Sequence, residues 1–152
     1  MKEKTAIILI SSQALPMAQL LEKELGDCTI FSQKAFDGCT QVASYSEFVA
    51  ASFAAYDRFL FIGAMGICVR CIAPCVSDKY ADPAVVCIDE AGQFVIPLLS
   101  GHIGGANALA VELAEKLGAT AVVTTATDVR GKFSVDAWAA RHGCVISDMG
   151  LA

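Results

Sequence analysis

Three unbroken apolar runs constrain this chain more than any other feature: residues 5–10 (TAIILI), Arg58–Ile62 (RFLFI) and Ala84–Ile88 (AVVCI). Short runs of this kind, without polar alternation, read as strands covered on both faces, the pattern of a parallel sheet. Between them lie segments with helical spacing. Leu15, Ala18, Leu21 and Leu25 mark one helix, which Gly26 ends. Residues 42–56 carry Phe48, Ala51 and Ala55 on one face of a second. Leu109, Leu113 and Leu117 mark a strong helix over residues 107–117, with Gly118 as its stop. Residues 28–31 and 121–124 read as further strands, and residues 67–75 as a short helix. Residues 84–88 and 94–96 flank a Gly-containing connection and read as a hairpin. The expected fold is α/β: a mostly parallel open sheet flanked by helices, with a hairpin insertion. Residues 1–131 form that domain, and residues 132–152 read as a helix–strand tail that begins a following segment.

The hydrophobic share of 55% against 18% charged residues fits such a buried sheet and excludes disorder. A formal net charge of -5, with no Lys or Arg run, argues against a nucleic-acid partner. The longest apolar runs fall far short of the roughly 20 residues a bilayer requires, so no membrane span is expected. Lys2, Glu3 and Lys4 lead straight into the first strand, without the longer apolar core of a secretory signal, so none is expected. Seven cysteines, an odd number, fit reduced thiols in a cytoplasmic protein.

In open α/β sheets ligands bind outside the carboxyl ends of the strands. Three loops are expected there: residues 63–66, 99–107 and 124–128. The middle loop holds Ser100, Gly101, His102, Gly104 and Gly105 and leads into the helix that starts at Asn107. A helix start offers free N–H groups and a positive dipole end to a carboxylate, phosphate or oxyanion. Glycines in that loop serve equally to shape a tight turn. His102 is one of two histidines and the natural candidate for a general acid or base. Asp128, with Thr124, Thr125 and Thr127, can orient water or polar substrate groups, or cap a turn. Arg70 and Lys79 can pair with carboxylates. Asp89 and Glu90 read as caps of a hairpin tip. Cys68, Cys71 and Cys75 have a metal-like spacing but sit among Ile67, Val69 and Ile72, so they read as buried thiols, and no metal site is expected. No P-loop, dinucleotide fingerprint or GxSxG elbow is present, which weighs against a nucleotide binder and a serine hydrolase.

The residues nevertheless form a specific constellation. It comprises Gly63-Ala64-Met65-Gly66-Ile67, Val69-Arg70, Ile72-Ala73-Pro74, Asp78-Lys79, Asp82-Pro83-Ala84-Val85-Val86 and Asp89-Glu90-Ala91-Gly92. It continues with Leu98-Leu99-Ser100-Gly101-His102, Gly104-Gly105-Ala106-Asn107 and Thr124-Thr125-Ala126-Thr127-Asp128. In this collinear order the chain resembles the N-terminal domain of the cobalt-precorrin-5A hydrolase family of cobalamin biosynthesis. The resemblance implies a cobalt-tetrapyrrole substrate bearing a δ-lactone, which water opens with loss of acetaldehyde. Cobalt is then carried by the substrate, and no cofactor is expected. Proteins of that family usually continue into a further C-terminal domain. The chain therefore reads as a fragment or split subunit, with a homodimer or a separate C-terminal partner as the expected associations.

On this reading His102 takes a proton from water and the amides near Gly104 and Gly105 hold the oxyanion. Asp128 orients the water, Gly63, Gly66, Ser100, Gly101, Asn107, Thr125 and Thr127 contact substrate, and Arg70 and Lys79 pair with its carboxylates. The alternative is a non-catalytic tetrapyrrole-binding or assembly module that depends on groups from elsewhere.

Overall fold

A computed structural model describes residues 3–126. The seven-stranded sheet has the order β3-β2-β1-β4-β5-β6-β7. Its strands are β1 (Thr5–Leu9), β2 (Cys28–Ser32), β3 (Cys39–Gln41), β4 (Arg58–Ile62), β5 (Ala84–Ile88), β6 (Phe94–Leu99) and β7 (Thr120–Ala121). The first five run parallel; β6 turns back antiparallel to β5, and β7 follows the direction of β6. The expected α/β sheet with a hairpin is therefore the observed one.

The apolar runs explain the layers. Alternate residues of a strand face opposite sides. Ile7, Leu9, Leu60, Ile62, Val86 and Ile88 pack beneath α1 (Leu15–Leu25) and α4 (Ala106–Leu117). Ala6, Ile8, Phe59, Phe61, Val85 and Cys87 pack beneath α2 (Tyr45–Ser52) and α3 (Met65–Ile72). β1 and β5 are buried at every position, because helices cover both faces. Fully burying a side chain such as Ile7 or Phe59 is worth about 1.5–3 kcal/mol. Among the described residues no helix is long and apolar enough to cross a membrane.

Several boundaries differ from the sequence expectation. α2 starts at Tyr45 rather than residue 42, because the Ser44 hydroxyl accepts the Glu47 amide at 3.3 Å. Ser44 and Glu47 have the spacing of a capping box. α3 spans Met65–Ile72 rather than residues 67–75; Pro74 has no N–H with which to extend it. β3 occupies a segment read as polar loop; its half-exposed edge position leaves no apolar signal. β6 runs on to Leu99 with Pro97 inside it, at the register shift between Val85 and Val86, where a missing donor is tolerated. The last central strand is Thr120–Ala121 rather than residues 121–124. The expected tail of residues 132–152 lies outside the described residues.

Candidate functional site

The antiparallel turn of β6 changes where the three candidate loops lie. β1, β4 and β5 end at one edge of the sheet, so residues 63–66 sit at their carboxyl ends, as expected. β6 points the other way, so its end delivers residues 99–107 to the opposite edge, where β4 and β5 begin. The Ser100 hydroxyl there donates to the Asp82 carbonyl at 2.8 Å, just before β5. Thr125 reaches the same edge, because the chain after β7 runs along β6. Two of the three loops therefore converge, and the third lies across the sheet. The hairpin itself was expected; that it sends residues 99–107 and Thr125 to the edge opposite residues 63–66 was not.

The amino-edge cleft encloses about 330 Å³ and is lined by Glu3, Arg58, His102, Gly104, Gly105 and Glu112, among others. Its loop is fastened by its own backbone. The Gly105 amide donates to the His102 carbonyl at 3.2 Å, Ala106 to Ser100 at 3.1 Å and Asn107 to Gly101 at 3.0 Å. The expectation of idle amides at this helix start is corrected there: Gly105, Ala106 and Asn107 are engaged within the loop. Gly104 leaves room for Ser100, since a Cβ at Gly104 would stand 2.5 Å from that of Ser100. Ser100 itself takes φ 55°, and its hydroxyl bond to Asp82 holds it there. Buried Asn107 packs over Gly101, and its side-chain amide donates to the Thr125 hydroxyl at 2.8 Å. Arg58 pairs with Glu3, while its Nε is buried with no acceptor among the described residues. Burial pulls the Arg58 guanidinium below its ordinary value, against the opposing pull of Glu112.

Asp82 is the buried carboxylate of this edge among the described residues. It accepts the Ser77 amide at 2.9 Å, the Ser77 hydroxyl at 3.1 Å and the Asp78 amide at 3.1 Å. Its role is to lock the turn that carries Lys79. The Lys79 ammonium stands over the Tyr80 ring at 4.9 Å, on the exposed side. Thr127 and Asp128 lie outside the described residues.

The carboxyl-edge crevice is larger, about 570 Å³, and is lined by Ile10, Ser11, Gln13, Gly63, Ala64, Asp89, Glu90 and Ala91. It opens between β1 and β4. There the strand order reverses, with β2 and β3 on one side and β4 and β5 on the other. Such a switch point is where doubly wound sheets hold ligands. Gly63 has φ 143°, and a Cβ there would meet that of Ile10 at 2.7 Å, so only glycine carries the chain past β1 into α3. Gly66 and Arg70 lie on α3 and are exposed. Asp89 caps the hairpin as expected: its carboxylate accepts the Ala91, Gln93 and Phe94 amides at 3.1, 2.7 and 2.6 Å. Glu90 departs from that expectation. It takes the Ser11 hydroxyl across the crevice, from a residue 79 positions away.

The cysteines of α3 are separated. Cys68 and Cys87 are in thiol–thiol contact, and Cys87 donates to the Gly63 carbonyl at 3.5 Å. Cys71 lies 3.5 Å from the Ser46 hydroxyl, and Cys75 donates to the Cys71 carbonyl at 3.8 Å. Among the described residues no three His, Cys, Asp or Glu side chains are grouped to hold a metal ion.

Comparison with known proteins adds a lineage to this geometry. A family model described as "Cobalamin synthesis G N-terminal" matches residues 47–128. The cobalt-precorrin-5A hydrolase of Salmonella typhimurium is 50% identical over 117 residues, which cover 77% of this chain and 32% of the relative. That of Priestia megaterium is 36% identical over 148 residues, covering 92% of this chain and 40% of the relative. The crystal structure of a cobalamin biosynthesis protein G homolog from Sulfolobus solfataricus superposes with a TM-score of 0.64 at 28% identity. It covers 80% of this chain and 36% of that one. The chain thus spans 32% to 40% of the length of these two hydrolases.

Proposed function

The chain belongs to the cobalamin synthesis G N-terminal family, and from that footing we propose that it forms the N-terminal part of a cobalt-precorrin-5A hydrolase working in the cytoplasm. The observation that carries this reading is the 50% identity over 117 residues with a relative of that name. The reaction opens a lactone with water and releases a two-carbon aldehyde, with cobalt held by the substrate ring. Two thirds of that relative lie outside the match, so the ring itself rests largely on the remaining part of such an enzyme. This part contributes the reacting edge. Its open clefts at both edges of the sheet, of about 570 and 330 Å³, suit the rim of a macrocycle rather than its whole face.

Chemistry favours the carboxyl-edge crevice for the reacting end. Lactone opening requires an acceptor for a water proton and donors for an oxyanion. At the amino edge His102 supplies a proton acceptor, but Gly105, Ala106 and Asn107 already direct their amides into the loop. At the carboxyl edge Gly63 brings backbone to the cleft wall, and α3 begins immediately behind it. Arg70 on the exposed side of α3 is placed to meet a peripheral carboxylate of the ring.

The test is a graft. The full chain replaces the matched segment of the Salmonella relative, and the product is assayed for acetaldehyde from cobalt-precorrin-5A. Turnover supports the reading. A folded graft that binds the tetrapyrrole without releasing acetaldehyde favours a binding module instead.

A further inference from the structure

Resting on the hydrolase reading above, we propose that Glu90 is the general base of the reaction and that Ser11 is its positioning residue, both in the crevice between β1 and β4. Among the described residues Asp89 alone holds the hairpin tip with its side chain, the carboxylate accepting three backbone amides, so the Glu90 side chain is not engaged in the turn. Glu90 is the next residue, is exposed, and reaches back over the crevice to Ser11 at the end of β1. The Ser11 oxygen accepts the Gln13 amide at 3.3 Å, which turns its proton outward toward the Glu90 carboxylate. The bond engages one carboxylate oxygen of Glu90, Oε2. The other, Oε1, takes no hydrogen bond from the described residues and is open to water.

The lining also selects its guest. Among the described residues that line the crevice there is no Lys, Arg or His, and the walls are Ile10, Gly63, Ala64 and Ala91 beside the two acids. A carboxylate arm of the substrate is repelled there, whereas a neutral cyclic ester is accepted. The first residues of α3, Met65 and Gly66, supply amides of the kind every helix start leaves without an intrahelical acceptor, with the helix dipole aligned behind them. Those donors stabilise negative charge on the lactone carbonyl oxygen as it forms. In the step itself, water loses a proton to Glu90 and its oxygen bonds to the carbonyl carbon. The ring C–O bond then breaks, and the proton passes from Glu90 to the departing alkoxide, so lactone and water become a hydroxy acid. Acetaldehyde leaves afterwards: the C–C bond joining the hydroxyl-bearing carbon to the macrocycle breaks, the hydroxyl gives up its proton as its oxygen becomes the aldehyde carbonyl, and the bonding electron pair stays on the macrocycle, which takes up a proton.

The experiment uses the same graft, with acetaldehyde release followed against substrate concentration and pH. Glu90→Gln is expected to lower kcat by roughly a hundredfold or more, as removal of a general base does, with KM little changed. The acidic limb of its kcat–pH profile disappears, whereas Asp89→Asn, the control at the other carboxylate lining the crevice, keeps that limb. Glu90→Asp regains part of the rate. Ser11→Ala displaces the acidic limb and lowers kcat less. A Glu90→Gln graft with an unchanged melting temperature and a kcat within about threefold of the parent overturns the proposal while the hydrolase reading stands. A folded parent graft without activity overturns both.

Discussion

The Ser100 hydroxyl donates to the Asp82 carbonyl at 2.8 Å, and through this bond the loop leaving β6 is tied to the turn entering β5. The same aspartate holds its own turn with its side chain, so one residue organises the amino edge of the sheet.

Asp82→Ala removes an acceptor shared by the Ser77 and Asp78 amides and the Ser77 hydroxyl. Ser77 and Asp78 are exposed, so water replaces much of the lost acceptor, and the expected loss is that of ordinary hydrogen bonds, about 1–2 kcal/mol in all. Urea denaturation of the variant measures it. A loss below about 0.5 kcal/mol, the size of a neutral surface change, contradicts the assignment.

Gly104→Ala places a Cβ 2.5 Å from Ser100 Cβ and 2.9 Å from its carbonyl oxygen. Overpacking of this kind costs about 1–3 kcal/mol. Adding Ser100→Gly removes one of the two clashing groups and relieves φ 55°, so the double variant is expected to recover part of that loss. Thermal denaturation of the two variants decides it; no recovery in the double variant contradicts the contact.

Asn107 and Thr125 are 18 positions apart and share a 2.8 Å bond. A double-mutant cycle with Asn107→Ala and Thr125→Val is expected to give a coupling of about 0.5–1.5 kcal/mol. Strict additivity contradicts the bond in solution.

The fold class was legible because both faces of the sheet are covered: TAIILI, RFLFI and AVVCI could be nothing but buried strands in a layered protein. Helices were legible from Leu15, Leu21, Leu109 and Leu113, all on core-facing stripes. The start of α2 was also present in the sequence, as the Ser44–Glu47 capping pair. β3 was not, because Cys39, Thr40 and Gln41 are half or fully exposed and leave no period. At the candidate site, Gly63 was legible as a loop glycine. The separation of His102 from Gly63 is a consequence of the expected hairpin: β6 runs antiparallel to β5, so the loop after it returns to the opposite edge, whereas the general rule for parallel strands places all three loops at one edge. Glu90 and Ser11 escaped for a related reason: each looks like a local cap, and their meeting is a product of the strand order.

Alkaline stability follows from the thiols. Contact with Cys87 and then burial push the Cys68 thiol far above its ordinary value, so it stays protonated when folded. Burial also raises Cys28, Cys39 and Cys75, more weakly because they are partly exposed. Once unfolded, these thiols ionise near pH 8.5. The folded state then binds more protons than the unfolded one, so stability is full below that pH and falls as pH rises above it. The hydrogen bond from Cys68 pulls the Cys87 thiol below its ordinary value and opposes this trend, so the net slope stays under the roughly 1.4 kcal/mol per pH unit of one fully retained proton. Urea midpoints in the native chain are expected to drop between about pH 8.5 and 10, and Cys68→Ala to flatten the drop while lowering stability overall. A midpoint that rises across that window contradicts the burial of these thiols.

The central claim is that the reacting edge of the macrocycle enters between β1 and β4. Paramagnetic broadening tests it directly: the full chain, labelled with ¹⁵N, is titrated with a cobalt(II) corrin whose peripheral carboxylates are esterified. The account predicts selective loss of the amide signals of Ser11, Gly63, Ala64 and Ala91, with those of His102, Gly104 and Gly105 retained. Loss confined to the His102–Gly105 loop, with the crevice signals intact, contradicts it.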